Sequence, residues 1–218
     1  MLLTDLIFPN RCLGCNRIIR SNEIVCGICF DQIHFTHYSF GQNNLLKEKC
    51  SLLFPVENAY ALMQFEEESL SREIVHQLKY GHREKIGNVL AQWVTERLDF
   101  GDDKPDIFVT VPLHPKKLRK RGYNQLHLFA NTLSKSYKIP CDHKLLKRNT
   151  NRSAQALKDR VHRADTEALF SCTRKIENHH ILLIDDVFTT GNTMSTVAWE
   201  ILKSGSNRIS VLVIAEDF

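Results

Sequence analysis

The stretch of sequence that decides the fold reads Ile181-Leu182-Leu183-Ile184-Asp185-Asp186-Val187-Phe188-Thr189-Thr190-Gly191-Asn192-Thr193. It opens with four aliphatic residues, and a short continuous apolar run predicts a strand buried on both faces, as in a parallel sheet. Two carboxylates follow directly, then two hydrophobic residues and a turn of small polar residues. Helix-forming residues at helical spacing continue from Met194 to Lys203. The predicted order is therefore strand, acidic pair, small-residue turn and helix.

The predicted turn suits an anion, and the acidic pair suits a sugar. Backbone N–H groups at a helix N-terminus favour a phosphate, and Gly191 lets the backbone approach closely or take a positive φ. Asp185 and Asp186 repel a phosphate, so they suit sugar hydroxyls or a divalent metal that bridges sugar and phosphates. A ligand with a ribose and a 5′-phosphate satisfies both halves. The alternative is an ordinary turn after an acidic strand end.

Length and composition narrow the class of protein. The 218 residues exceed one typical domain, and one domain with a small module fits best. Hydrophobic residues make up 43% and charged residues 25%, which is typical of a soluble globular protein. No apolar run approaches the ~20 residues that cross a bilayer. The apolar segment Met1–Pro9 contains Asp5 and lacks a basic region, so it is expected to dock on the larger domain rather than act as a signal peptide.

Four of the seven cysteines form two C-x2-C pairs, and two such pairs can place four thiolates tetrahedrally around Zn²⁺: Cys12, Cys15, Cys26 and Cys29. Four cysteines leave no position for water, which favours a structural zinc site over a catalytic one. Without a signal peptide, thiols in a reducing cytoplasmic compartment are favoured over disulfides, which are the alternative. The remaining cysteines share no such spacing and are expected as packing or surface thiols: Cys50, Cys141 and Cys172.

A basic stretch follows the predicted strand Ile107–Val111. Five of the six residues from Lys116 to Arg121 are basic, although the net charge of +4 does not by itself imply nucleic acid. Open α/β sheets bind ligands at the carboxyl ends of strands, and both a pyrophosphate and a nucleic-acid backbone need such a concentration of cations. The stretch is therefore predicted to be a phosphate-binding loop, with a solubilising loop as the alternative.

The sequence also predicts the surroundings of Lys79 and the structure of residues 148–166. Lys79 ends a helix that is predicted to begin at Ser69 or Ser71, and its ammonium is expected in solvent. Residues 148–166 are basic and then polar with few apolar anchors. This pattern predicts a mobile flap or a short helix over the ligand.

Residues 184–193 resemble the phosphoribosyl pyrophosphate (PRPP) loop of type I phosphoribosyltransferases. The whole chain resembles the ComF family of competence-associated phosphoribosyltransferase-like proteins, through the two C-x2-C pairs, this loop and four further matches: Val111-Pro112-Leu113-His114, Arg121-Gly122-Tyr123-Asn124-Gln125, Gln155 and Arg160. The resemblance implies an α/β fold with a type I phosphoribosyltransferase-like parallel sheet flanked by helices. It also implies an N-terminal zinc module on this domain. The polar stretch Gly41-Gln42-Asn43-Asn44 predicts a turn or linker and a boundary near residue 50, so the zinc module is expected over residues 1–50 and the phosphoribosyltransferase-like domain over residues 51–218.

The same resemblance implies ligands, partners and residue roles. Asp185 and Asp186 would meet the ribose hydroxyls of PRPP, which would bind with Mg²⁺. A 5′-phosphate cradle is implied at Thr189, Thr190, Gly191, Asn192 and Thr193. The pyrophosphate side is implied at Leu113 and His114, with Arg119 and Arg121 nearby. The family's role implies DNA uptake in natural transformation, with handling of single-stranded DNA beside a helicase-type partner.

Three functions stay open from the sequence. The first is a phosphoribosyltransferase, in which an acceptor displaces pyrophosphate from the ribose carbon and the basic stretch stabilises the leaving group. No residue stands out as a general base for the acceptor. The second is a catalytically inactive protein that binds single-stranded DNA with the same fold as a phosphate cradle. The third is a regulator that senses PRPP without turnover.

Overall fold

The computed structural model describes residues 9–80, 85–149 and 169–217. Its helices are α1 (Gly27–Phe30), α2 (Leu45–Ser51), α3 (Leu70–Tyr80), α4 (Lys85–Thr95), α5 (Pro115–Arg121), α6 (Gln125–Tyr137) and α7 (Asn192–Lys203). Its strands are β1 (Ala59–Phe65), β2 (Ile107–Thr110), β3 (Cys141–Asp142), β4 (Leu146–Arg148), β5 (Phe170–Cys172), β6 (His180–Phe188) and β7 (Arg208–Asp217). Within these ranges, no helix is long and apolar enough to cross a membrane.

Some predicted features lie outside the described residues. They are residues 1–8 of the predicted docking segment and residues 150–166 of the predicted flap, with Gln155 and Arg160.

Five parallel strands form the central sheet in the order β1-β7-β6-β2-β3. One face packs against α3, α4 and α6, and the other packs against α2, α7 and the hairpin of β4 and β5. The strands β6 and β7 are buried along most of their length because helices cover both faces of the sheet. The predicted α/β class, a parallel sheet flanked by helices, is confirmed.

Alternation along β6 sets the direction of each side chain. Leu182 and Ile184 pack on the α3 side, whereas Ile181 and Leu183 pack on the α7 side. The strand continues to Phe188, because β7 keeps pairing with it as far as Glu216. The prediction of a strand that ends before the acidic pair is therefore wrong, since both carboxylates belong to the strand.

The basic stretch folds as helix α5 rather than as the predicted loop. His114 caps the helix, because its Nδ1 atom accepts a hydrogen bond from the Lys116 N–H at 3.1 Å, and Pro115 occupies the first turn. Gly122 ends the helix in the left-handed conformation with φ 79°. The loop prediction is wrong because it was based on the charges and did not use His114 and Gly122 as helix boundaries.

The N-terminal module packs onto the same core as the α3 face of the sheet. Ile24, Val25 and Ile33 are buried in one cluster with side chains of α3 and α4. The Gln64 N–H of β1 donates to the His34 carbonyl at 2.8 Å, which ties the module to the sheet edge. The boundary near residue 50 stays a prediction.

Substitution of Gly87 tests the close approach of α4 and α6. A methyl group at Gly87 would lie 3.1 Å from the Phe129 backbone nitrogen, which cannot rotate away. Overpacking costs about 1–3 kcal/mol and outweighs the gain in helix propensity of about 1 kcal/mol. We therefore expect Gly87→Ala to lower the urea midpoint. Gly27→Ala is the control, because its methyl group would meet nothing within 4 Å. Equal midpoints for both variants would contradict the packing described here.

Candidate functional site

Four cysteine sulfurs of the N-terminal module lie within 4.8 Å of one another: Cys12, Cys15, Cys26 and Cys29. Tetrahedral zinc with Zn–S bonds of about 2.3 Å requires sulfurs about 3.8 Å apart, and the Cys15 and Cys26 sulfurs are 3.7 Å apart. Burial tends to raise the pKa of Cys12, but N–H groups of the knuckle lower it below its usual value, whereas burial and the neighbouring thiols raise the pKa of Cys29. The donor set therefore fits structural zinc.

The predicted phosphate turn lies between β6 and α7. Thr189 and Thr190 are exposed, and Gly191 has φ 72°, a conformation that side chains other than glycine rarely adopt. A methyl group at Gly191 would collide with the side chains of Leu53 and Phe188. The turn thus has glycine for two reasons, its backbone conformation and the packing beneath it.

The two carboxylates of β6 have different surroundings. Asp186 is 9% exposed. Its Oδ1 atom pairs with the Lys79 ammonium at 2.9 Å, and its Oδ2 atom accepts a hydrogen bond from the Gln125 amide at 2.5 Å. Asp185 is partly buried and accepts a hydrogen bond from the Asp186 N–H at 2.8 Å. Burial, together with the charge of Asp186, raises the pKa of Asp185.

Arg121 lies beneath the site rather than on its surface. It is 6% exposed, and its guanidinium donates to the Gln125 side-chain oxygen at 2.8 Å and to the Tyr80 hydroxyl at 3.2 Å. It also lies over the Tyr80 ring, 4.8 Å from the centroid. Arg121 therefore orients the amide that holds Asp186. Its role on the pyrophosphate side stays a prediction.

The other cations of α5 face solvent: Lys116, Lys117, Arg119 and Lys120. Leu113 and His114 precede them at the carboxyl end of β2 and are partly buried. The Tyr123 hydroxyl donates to the Leu78 carbonyl at 2.8 Å, so the phenol end of this side chain is anchored against α3. The cations that were predicted to bind phosphate thus fall into two sets, an exposed row on α5 and one buried arginine.

Three residues beside the acidic pair had no predicted role in the site: Lys79, Gln125 and Arg148. The expectation that Lys79 lies in solvent is wrong, because its ammonium contacts Asp186. Lys79 lies four residues after the buried Val75 and hence on the same helix face, a signal that could have identified it. The role of Gln125 depends on a contact with a distant strand, and Arg148 lies over Phe170, 5.2 Å from its centroid. No local pattern marks either contact.

Comparison with known proteins gives a matching domain model and several curated relatives. Residues 3–41 match the model of a double zinc ribbon domain. The chain is 25% identical to the DNA utilization protein YhgH of Escherichia coli K12 over 206 residues, which cover 92% of this chain and 87% of that protein. It is 26% identical to competence protein F of Haemophilus influenzae over 215 residues, 94% and 89% of the two chains.

A third relative matches at higher identity over a shorter range. Competence protein ComFC of Bacillus subtilis is 34% identical over 104 residues, which cover 47% of this chain and 41% of that protein. The resemblance to the ComF family is confirmed. The match to a zinc ribbon also supports the predicted structural zinc, because it covers all four ligand positions.

Two solved structures align with part of this chain. One is the glutamine phosphoribosylpyrophosphate amidotransferase of B. subtilis with ADP and GMP, at 17% identity and a TM-score of 0.40, over 64% of this chain and 30% of that chain. The other is the purine phosphoribosyltransferase of Pyrococcus horikoshii, at 17% identity and a TM-score of 0.35, over 62% and 83% of the two chains.

Zinc removal tests the metal site. Cys12 and Cys29 are buried within the main core, so release of the metal leaves thiols and loosened packing there. We expect Cys15→Ser to lower both the zinc content measured by atomic absorption and the Tm. Cys172→Ser is the control, because Cys172 lies outside the cluster. A Cys15→Ser protein that keeps its zinc and its Tm would rule out the site.

Proposed function

We propose that this chain is a ComF-type protein that binds PRPP with Mg²⁺ and acts in DNA uptake during natural transformation. The observation that carries the proposal is the end of β6, where two carboxylates are followed, after Val187 and Phe188, by a positive-φ glycine turn at a helix N-terminus. A helix N-terminus suits a 5′-phosphate, and carboxylates suit ribose hydroxyls. The names of the relatives, which refer to DNA utilization and competence, support the biological role.

The charges around the turn fit the rest of such a ligand. The exposed cations of α5 follow β2, the strand next to β6, and they suit a pyrophosphate. The Oδ2 atom of Asp185 has no hydrogen-bond partner among the described residues, so it is available to a sugar hydroxyl or to Mg²⁺, which prefers oxygen ligands. When bound, Mg²⁺ would neutralise part of the pyrophosphate charge.

Phosphoribosyl transfer is the reaction that such a site would support. The bond from the ribose carbon to a pyrophosphate oxygen breaks, and the bond to an acceptor nitrogen forms. The row of cations on α5 would stabilise the departing pyrophosphate. The described residues offer no evident general base for the acceptor, so binding is the first property to test.

Calorimetric titration with PRPP tests the site. We expect binding that depends on Mg²⁺ and that weakens more than about 100-fold in Asp185→Ala/Asp186→Ala, because each lost charged hydrogen bond costs about 1.5–3 kcal/mol. Asp102→Ala is the control, because Asp102 is exposed and lies in the turn before β2. If the folded, zinc-loaded parent binds no PRPP, both the phosphoribosyltransferase hypothesis and the PRPP-sensing regulator hypothesis are wrong.

Single-stranded DNA is a second candidate ligand, favoured by the surface of α5. Its four exposed cations lie near two exposed apolar side chains, Leu118 at 43% and Tyr80 at 46% exposure. Cations that follow a backbone and an aromatic ring on which bases stack are the elements of single-strand binding. In this candidate function, the chain handles the incoming strand beside a helicase-type partner.

Salt dependence tests the DNA candidate. Each lost phosphate contact reduces the slope of log K against log salt by about 0.7 for single strands. We expect Lys116→Gln/Lys117→Gln to reduce the slope by about 1.4 on this basis. Lys104→Gln/Lys135→Gln is the control, because both of these lysines are exposed away from α5. Identical slopes for the two double variants would exclude α5 as the DNA surface.

A further inference from the structure

We propose that the groove between α5 and α6 binds one nucleobase of a single strand, while the exposed cations of α5 bind the phosphates on either side of that base. This inference rests on the second candidate function, the binding of single-stranded DNA, and deepens it by naming a site for a base. It does not depend on PRPP binding. Its basis is the contrast between an uncharged groove and the cationic helix beside it.

The groove exists because the chain reverses sharply between the two helices. Gly122 ends α5 with φ 79°, and Asn124 caps α6, since its side-chain oxygen accepts a hydrogen bond from the Leu126 N–H at 3.0 Å. Gly122 also leaves the space open, because a methyl group there would meet nothing within 4 Å. The groove has a volume of about 390 Å³, within the range of about 300–1,000 Å³ that is typical of small-molecule sites.

Apolar side chains line one part of the groove. Leu118 is 43% exposed and lies four residues before Gly122, hence on the same face of α5. Leu128 and Tyr123 are half-buried and line the groove from the side of α6. The Tyr123 hydroxyl donates to the Leu78 carbonyl, which anchors the ring. These side chains suit the flat face of a base, because bases stack on aromatic and apolar surfaces.

Two polar side chains line the groove beside this apolar surface. The Asn131 side-chain oxygen accepts a hydrogen bond from the His143 Nε2 atom at 2.8 Å, so the amide nitrogen of Asn131 supplies the remaining donors. The His127 ring stacks on His143 with 4.0 Å between the centroids, and neither of its nitrogens is hydrogen-bonded within the described part of the chain. A neutral imidazole offers one donor and one acceptor. The two side chains therefore suit the edge of a base, which carries both kinds of group.

The groove is uncharged, whereas α5 is strongly cationic. Burial, together with the neighbouring His143, lowers the pKa of His127 to about 4, so this ring is neutral at neutral pH. None of the other described residues that line the groove is charged at that pH. The groove also lies at the C-terminal end of α5, where the helix dipole disfavours an anion. A ligand that fits both surfaces has a neutral planar part and an anionic chain, which is the chemistry of a single strand.

Binding of three labelled ligands, measured by fluorescence anisotropy, separates the groove from the cationic helix. The ligands are oligothymidine, an abasic oligomer of the same length and an oligoaspartate of the same charge. The groove variant is Leu118→Ala/Asn131→Ala, in which both altered side chains are exposed. Leu52→Ala/Asn43→Ala is the matched control, because it makes the same two changes at exposed positions outside α5 and α6. A melting curve without ligand checks that each variant is folded.

We expect the parent to bind oligothymidine about 5- to 100-fold more tightly than the abasic oligomer, which is the range that the stacking of one base provides. The groove variant loses most of this preference and keeps its affinity for the abasic oligomer, because it keeps every cation of α5. For the same reason its slope of log K against log salt equals that of the parent. The control variant behaves as the parent does, and oligoaspartate binds no more tightly than the abasic oligomer.

Other results overturn the inference in distinguishable ways. If the parent binds the two oligomers equally, or if the folded groove variant keeps the full preference, no base occupies the groove and the DNA function of α5 stands. A smaller salt slope in the groove variant would show that the groove contacts phosphates instead of a base. Tighter binding of oligoaspartate than of oligothymidine would identify an acidic peptide as the ligand. A parent that binds neither oligomer removes the second candidate function together with this inference.

Discussion

The structure depends on the position of β6 in the middle of a parallel sheet. β7 pairs with it from His180 to Phe188, β2 pairs with it from Ile181 to Ile184, and helices cover both faces of the sheet. Since parallel strands present their carboxyl ends at one edge, the carboxylates, the glycine turn and the start of α5 meet there without any long loop. The positions of these groups are therefore fixed by strand pairing and core packing rather than by surface loops.

Much of this edge could be predicted from the sequence. The apolar run Ile181–Ile184 indicated the strand, and Gly191 indicated a turn with a positive φ, because both are local patterns. The cysteine spacing likewise indicated a four-ligand zinc site. Helical spacing could place Lys79 on the buried face of α3. Its contact with Asp186, and that of Gln125, could not be predicted, because both residues lie far from Asp186 in sequence and meet it only after the helices have packed. Charge alone was also misleading for α5, where His114 and Gly122 determine the helix.

Buried charge adds an energetic cost to this architecture. Lys79, Asp186 and Arg121 are all withdrawn from water, and such groups contribute little net stability even when they are well paired. Apolar residues at the same positions would hold the helices together equally well. Folding stability alone therefore does not explain the three charges at the meeting point of α3, α5, α6 and β6.

A side chain at position 191 would collide with Leu53, and this close contact has a consequence for how the two segments can evolve. Leu53 belongs to the connection between α2 and β1, and its carbonyl also accepts a hydrogen bond from the Trp199 indole at 3.0 Å. The floor of the turn is thus encoded well over a hundred positions upstream of the turn itself. A recombination event between diverged relatives that exchanged one segment without the other would produce a mismatched floor, so the two segments should coevolve as one unit.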